Sequence, residues 1–169
     1  NWTGQYWNNN SFTGNPTLTR TDPAVNFNWG AGSPDPSLPA GNFSAQWTLI
    51  FPFAGGTYLF RAGADGGIQA TVDTTVIINQ LHTTSSFTTY TAQVNLAAGN
   101  HQLTVKYTAQ GGLSGALFDW LPASAIVTTQ VPGSTIIAPT VAPTLKGFVR
   151  VDVANVRGDP STVNPPITQ

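Results

Sequence analysis

The sequence predicts an all-β protein, and three features carry that prediction. Thr (24 residues), Gly (17) and Pro (13) are plentiful while Glu and Met are absent, a composition of strands and turns rather than helices. Apolar and polar residues alternate over 43–53, 88–96 and 101–107, the two-residue period of a half-buried strand. Gly55-Gly56, Gly99-Asn100 and Gly111-Gly112 punctuate those runs as turns.

In chain order, residues 1–22 mix Trp2, Tyr6, Trp7 and Phe12 with polar neighbours and Gly4, Gly14 and Pro16, which predicts short strands and turns. The stretch GAGSPDPSLPAG (30–41) predicts a loop. Phe43 to Phe53 predicts a strand with Phe43, Ala45, Trp47, Leu49 and Phe51 on one face. After Gly55-Gly56 a second strand covers 57–61, and AGADGG (62–67) reads as a loop. Ile68 to Val72 and Thr75 to Ile78 predict two short strands around Asp73-Thr74. Thr88 to Leu96 places Tyr90, Ala92, Val94 and Leu96 on one face, and His101 to Tyr107 alternates through Leu103 and Val105. Ala116 to Trp120 closes the series, and strands at this density predict a β-sandwich of Greek-key type.

Length and charge narrow the function classes. The chain has 169 residues, enough for one domain with an appendage. Charged residues make up 8%, all seven acids are Asp, and the net charge is −1, so the basic stripe that nucleic acids demand is missing. No apolar run is long enough to insert in a membrane. Cys is absent, which excludes disulfides and thiolate metal sites. The missing Met points to a processed or excised piece.

The landmarks of the first 121 residues are WTGQYWNNNSFTGNPTLTRTDPAVNFNWGAGSP (2–34), FSAQWT (43–48), GTYLFRAGADGGIQATVD (56–73) and LAAGNHQLTVKYTAQGG with ALFDW (96–120). In this order they resemble the PA14 domain, a family found in bacterial toxins, glycosidases and cell-surface adhesins. The resemblance implies a PA14-like β-sandwich, with Trp29 and Trp47 in its core. It also implies a carbohydrate-binding function. In sugar-binding members two successive aspartates in the loop matching 63–66 hold calcium. Here that pair reads Ala64-Asp65, so one carboxylate is missing and no cofactor is expected, Asp65 being the one calcium candidate.

Other chemistry is sparse. Asp65 and Asp73 flank one hairpin, and Asn79, Gln80 and His82 share a polar stretch beside it; these five are the candidate glycan- or ion-binding residues. The aromatic and amide groups of residues 2–10 suit a sugar as well. There is no HExxH and no GxSxG, Glu is absent, and neither His82 nor His101 belongs to a triad, so no catalysis is expected.

Beyond Leu121 the texture changes. Residues 122–147 form a Pro/Thr-rich stretch that predicts an extended linker, and 148–169 carry one alternating strand, with Val149, Val151 and Val153 on one face and Phe148 opening the other. VDVANVRGDPST, within 148–165, is similar to the start of a bacterial SH3-like domain, although too few residues follow to build that domain's core. An isolated apolar strand needs a partner. The expectation is therefore an extracellular or cell-surface structural subunit, not an enzyme. It assembles with other copies into a filament or surface layer by strand donation through Phe148, Val149, Val151 and Val153. The alternative is a PA14-type carbohydrate-binding adhesin module, an accessory domain of a larger secreted protein.

Overall fold

The computed structural model describes residues 1–82 and 86–125. Ten strands run in order: β1 (Trp2–Trp7), β2 (Leu18–Asp22), β3 (Val25–Gly30), β4 (Ser44–Phe53), β5 (Gly56–Asp65), β6 (Gly67–Val72), β7 (Thr75–Gln80), β8 (Thr88–Leu96), β9 (Gly99–Thr108) and β10 (Ser114–Pro122). They form a six-stranded sheet, β2-β1-β4-β9-β6-β7, and a four-stranded sheet, β3-β10-β5-β8, antiparallel throughout. The linker, the C-terminal strand and the assembly residues Phe148, Val149, Val151 and Val153 lie outside the described residues.

The alternation seen in the sequence sets which faces meet. Ala45, Trp47 and Phe53 of β4 and Leu103, Val105 and Tyr107 of β9 point inward and are buried. Tyr58, Phe60, Ala62 and Ala64 of β5 and Ala116 and Phe118 of β10 meet them from the smaller sheet. Rings bridge the layers: the Phe27, Trp29 and Trp47 rings cluster nearly parallel to one another, with Phe27 4.9 Å from Trp29 and 5.4 Å from Trp47 and the two tryptophans 6.4 Å apart. Such pairs add about 0.5–1.5 kcal/mol each beyond their buried area.

The structure differs from the sequence reading at three places. The run 62–67 is not a loop. Ala62 to Asp65 complete β5, which pairs with β10 on one side and β8 on the other, and a single residue, Gly66, turns the chain into β6. Gly66 has φ +112°, and a Cβ there would strike the Thr108 carbonyl oxygen, so only glycine fits. Small residues occupy 62–64 of β5 because large ones surround them, and packing overrides their weak strand propensity. The second difference is β3, whose Val25, Phe27 and Trp29 alternate inward. The third is β7, which extends past Ile78 to Gln80 and so takes Asn79 and Gln80 of the polar stretch into the strand.

A polar network sits inside the larger sheet's side of the core. The Tyr6 hydroxyl donates to Asp22 Oδ2 at 2.6 Å, and Trp47 Nε1 donates to the same oxygen at 3.0 Å. Arg20 Nε donates to Asp22 Oδ1 at 2.8 Å, and its guanidinium carbon lies 4.6 Å from the Tyr6 ring centroid. Burial, reinforced by the Asp22 hydrogen bond, holds the Tyr6 phenol neutral far above its ordinary range. Asp22 is buried at 3% exposure, and Gly4 makes room for it: a Cβ on Gly4 would overlap Asp22 Oδ2. Breaking a buried pair leaves its partners unsatisfied, at about 3–5 kcal/mol. Asp22→Ala and Gly4→Ala therefore each destabilise by about that amount, and Tyr6→Phe by about 1–3 kcal/mol. Urea unfolding of the full chain checks this; a Gly4→Ala change within about 0.5 kcal/mol of wild type refutes the close fit.

Candidate functional site

The two ends of the sandwich differ in chemistry. Asp65 closes β5 at one end and Asp73 follows β6 at the other, so a whole strand separates them, about 20 Å at the usual rise per residue. The two carboxylates flank one hairpin in sequence but form no pair in space.

Asp73 belongs to a closed cluster. It occupies a left-handed turn position (φ 53°), accepts from the Gln102 backbone N–H at 2.9 Å through Oδ1, and meets His101 Nδ1 at 2.6 Å through Oδ2. His101 Nε2 faces the Ala97 carbonyl oxygen at 3.1 Å. Both ring nitrogens thus face acceptors, which only the imidazolium satisfies. The Asp73 hydrogen bond first, then the Ala97 carbonyl, raise the His101 pKa above its usual 6.5. The His101 and Gln102 hydrogen bonds lower that of Asp73 below 3.8. Asp73 is a turn brace rather than a ligand site.

The remaining candidates lie toward the Asp65 end. Asn79 Oδ1 accepts from Gln69 Nε2 at 2.9 Å on the outside of the β6–β7 pair. Gln80 ends β7 opposite Ile68, and His82 is exposed just beyond. None of these three lines the groove that holds Asp65. The aromatic groups of residues 2–10 are not a sugar platform either: Trp2, Tyr6 and Trp7 are buried, and Trp7 Nε1 donates to the Gly14 carbonyl at 3.0 Å.

The groove lies on the outer face of the four-stranded sheet. Its volume is about 460 Å³, inside the range of small-molecule sites, and Asn26, Asn28, Asp65, Phe87, Leu113 and Leu117 line it. The β-pleat places them. On β5 the inward residues are Ala62 and Ala64 and the outward ones Gly63 and Asp65; on β10 Gly115 and Leu117 face outward beside them, and Asn26 and Asn28 face outward on β3. Phe87 is 48% exposed and Leu113 66%, values unusual for large apolar side chains. The Asn28 side-chain oxygen accepts from the Gly30 N–H at 3.2 Å. Beside the groove, Arg61 and Asp119 form a two-hydrogen-bond ion pair.

Asp65 is only partly satisfied. Its backbone carbonyl accepts the Tyr107 hydroxyl at 2.9 Å, but Oδ1 is buried and has no hydrogen-bond partner among the described residues. Burial pushes the Tyr107 phenol up to about 12, with the Asp65 charge adding to it. An unpaired buried acceptor costs about 1–3 kcal/mol. The Asp χ2 torsion is soft, so the carboxylate can turn an oxygen toward a donor that enters the groove. Phe87, Leu113, Asn26 and Asn28 escaped the sequence reading; the Gly63 and Gly115 pattern that seats Phe87 joins distant parts of the chain.

A calcium ion fits these residues poorly. Calcium takes six to eight oxygens, several from carboxylates. Position 64 points into the core, where Ala64 is fully buried, and Asp65 is the one carboxylate on the groove. Among the described residues no group of three or more His, Cys, Asp or Glu is arranged to hold a metal.

This sandwich, with its ten-strand order, belongs to the PA14 domain family, whose match covers residues 1–131. The membership agrees with a non-enzymatic chain. The anti-sigma-I factor RsgI3 of Acetivibrio thermocellus is 34% identical over 97 residues, 57% of this chain and 15% of that protein. A solved anti-sigma factor domain-containing protein superposes with a TM-score of 0.67 at 30% identity, over 73% of this chain and 43% of its own. The PA14 sugar-binding domain of an RTX adhesin shares the fold at a TM-score of 0.54 and 16% identity, over 73% of this chain and 90% of its own. The chain thus spans less than half the length of the anti-sigma relatives. Among the described residues no helix is long and apolar enough to cross a membrane.

The His101–Asp73 pair generates a pH prediction. A raised histidine pKa stabilises fully below pH 6.5 and is lost as pH rises through the raised value. The lowered Asp73 pKa stabilises above pH 3.8 and is lost as pH falls through the lowered value. The melting temperature of the full chain should therefore fall as pH rises above 6.5, and His101→Gln should flatten that fall. An unchanged slope in the variant refutes the brace.

Proposed function

We propose that this domain is a non-catalytic carbohydrate-binding module of a larger extracytoplasmic protein, and that it takes sugar in the groove holding Asp65. The observation that carries this is the groove's composition: one under-satisfied carboxylate, two asparagines and two exposed apolar side chains converge on a shallow concave surface. Sugars present hydroxyls and apolar C–H faces together, so such a mixture suits them. The RTX adhesin domain with the same fold is described as sugar-binding, and the anti-sigma relatives place this kind of domain within longer regulatory proteins. In a protein of that kind, sugar occupancy would report on polysaccharide outside the cell. The strand-donation reading through Phe148, Val149, Val151 and Val153 rests on sequence alone and takes second place.

The test is affinity electrophoresis of the full chain through a panel of soluble polysaccharides, with Asp65→Ala alongside. At least one polysaccharide should retard the wild type, and the variant should lose most of that retardation. Removing an unsatisfied buried oxygen should at the same time leave the melting temperature unchanged or raise it by a few degrees. No retardation by any member of the panel overturns the sugar reading.

A further inference from the structure

We propose that the groove binds a neutral pyranose face-on against the ring of Phe87, without a calcium ion. This rests on the sugar reading and names the chemistry by which it works. The Phe87 ring lies on bare backbone. A Cβ on Gly63 would come within 2.7 Å of the ring's Cε1, and one on Gly115 within 3.6 Å of its Cε2. Two strands that pair with each other thus both carry glycine where one ring is seated, and Gly63 is buried on an outer sheet face because the ring covers it. About half of Phe87 remains accessible: it is 48% exposed on the groove, with Leu113 66% exposed on the same groove.

An aromatic face carries partial negative charge and attracts the C–H face of a pyranose. Asp65, on the same wall, accepts sugar hydroxyls through charge-assisted hydrogen bonds. Among the residues lining the groove Asp65 is the one ionisable group, and the nearby Arg61 is committed to Asp119. A sugar carboxylate would meet that charge uncompensated, so the ligand is neutral. The role given to calcium in related adhesins has no donor set here: Ala64 faces the core and one carboxylate remains. The ring supplies the binding surface that the ion would otherwise provide.

A ring over two glycines also shields their backbone, a purely structural role. The experiment separates the two. Affinity of the full chain for its best polysaccharide is measured with calcium and with a chelator, for the wild type, Phe87→Ala, Phe87→Leu and Phe87→Trp, with melting temperatures in parallel. Phe87→Leu keeps an apolar cover and removes the π face. The expected result is equal affinity in both buffers, loss of about tenfold or more in Phe87→Ala and Phe87→Leu, retention in Phe87→Trp, and a preference for neutral over uronic-acid polymers. Binding that disappears only with the chelator overturns this inference and leaves the sugar reading standing. Phe87→Leu that melts and binds like the wild type overturns it as well, as does a preference for uronic acids. Silence across the whole panel in both buffers overturns the sugar reading and this inference with it.

Discussion

The pleat of one central strand governs both the fold and the site. β5 pairs on both sides, so its register is fixed, and successive residues point to opposite faces. Ala62 and Ala64 enter the core, where their size admits the aromatic rings around them. Gly63 and Asp65 face outward, where one forms a floor and the other an acceptor. Shifting the register by one residue would bury Asp65 and expose both alanines. The same period accounts for Ala64: position 64 looks inward, and a small apolar side chain is what the core accepts there.

Much of this architecture was legible in the sequence. The inward faces of 43–53, 88–96 and 101–107 follow from alternation alone; Trp47 is in the core as its family position implies, while Trp29 packs against the core half-buried rather than inside it. The AGADGG segment misled, because Gly and Ala mark loops by composition while here they mark crowding. The Val25-Phe27-Trp29 alternation that forms β3 was present but lay against a Gly/Pro-rich stretch that dominated the reading. At the site Asp65 was legible as a carboxylate on a glycine-rich turn. Phe87 was not: its importance arises from Gly63 and Gly115, which lie 24 and 28 residues away in sequence, on either side of it, and meet only through the β5–β10 register.

The two ends of the sandwich differ in what they leave open to a ligand. At the Asp73 end, the carboxylate, the imidazole, a backbone N–H and a backbone carbonyl satisfy one another. A ligand there would have to break bonds already made. At the Asp65 end an acceptor oxygen has no partner among the described residues and an aromatic ring is half-exposed. A ligand there makes contacts that the free protein lacks, and its hydrogen bonds relieve a penalty already built into the fold.

Such a site is tolerable because stability is concentrated elsewhere. The Tyr6–Asp22–Trp47 network and the stacked Trp29, Phe27 and Trp47 rings tie β1, β2, β3 and β4 together across both sheets. Those side chains face the core; Phe27 borders the groove along its strand while its ring stays in the stack. The groove can therefore hold an unsatisfied oxygen, two glycines in strand interiors and a half-exposed phenylalanine, each unfavourable by itself, without loosening the sandwich. The packed layer beneath also holds the positions of Phe87 and Asp65 relative to each other, which would limit the ordering cost of the proposed sugar binding on a shallow surface.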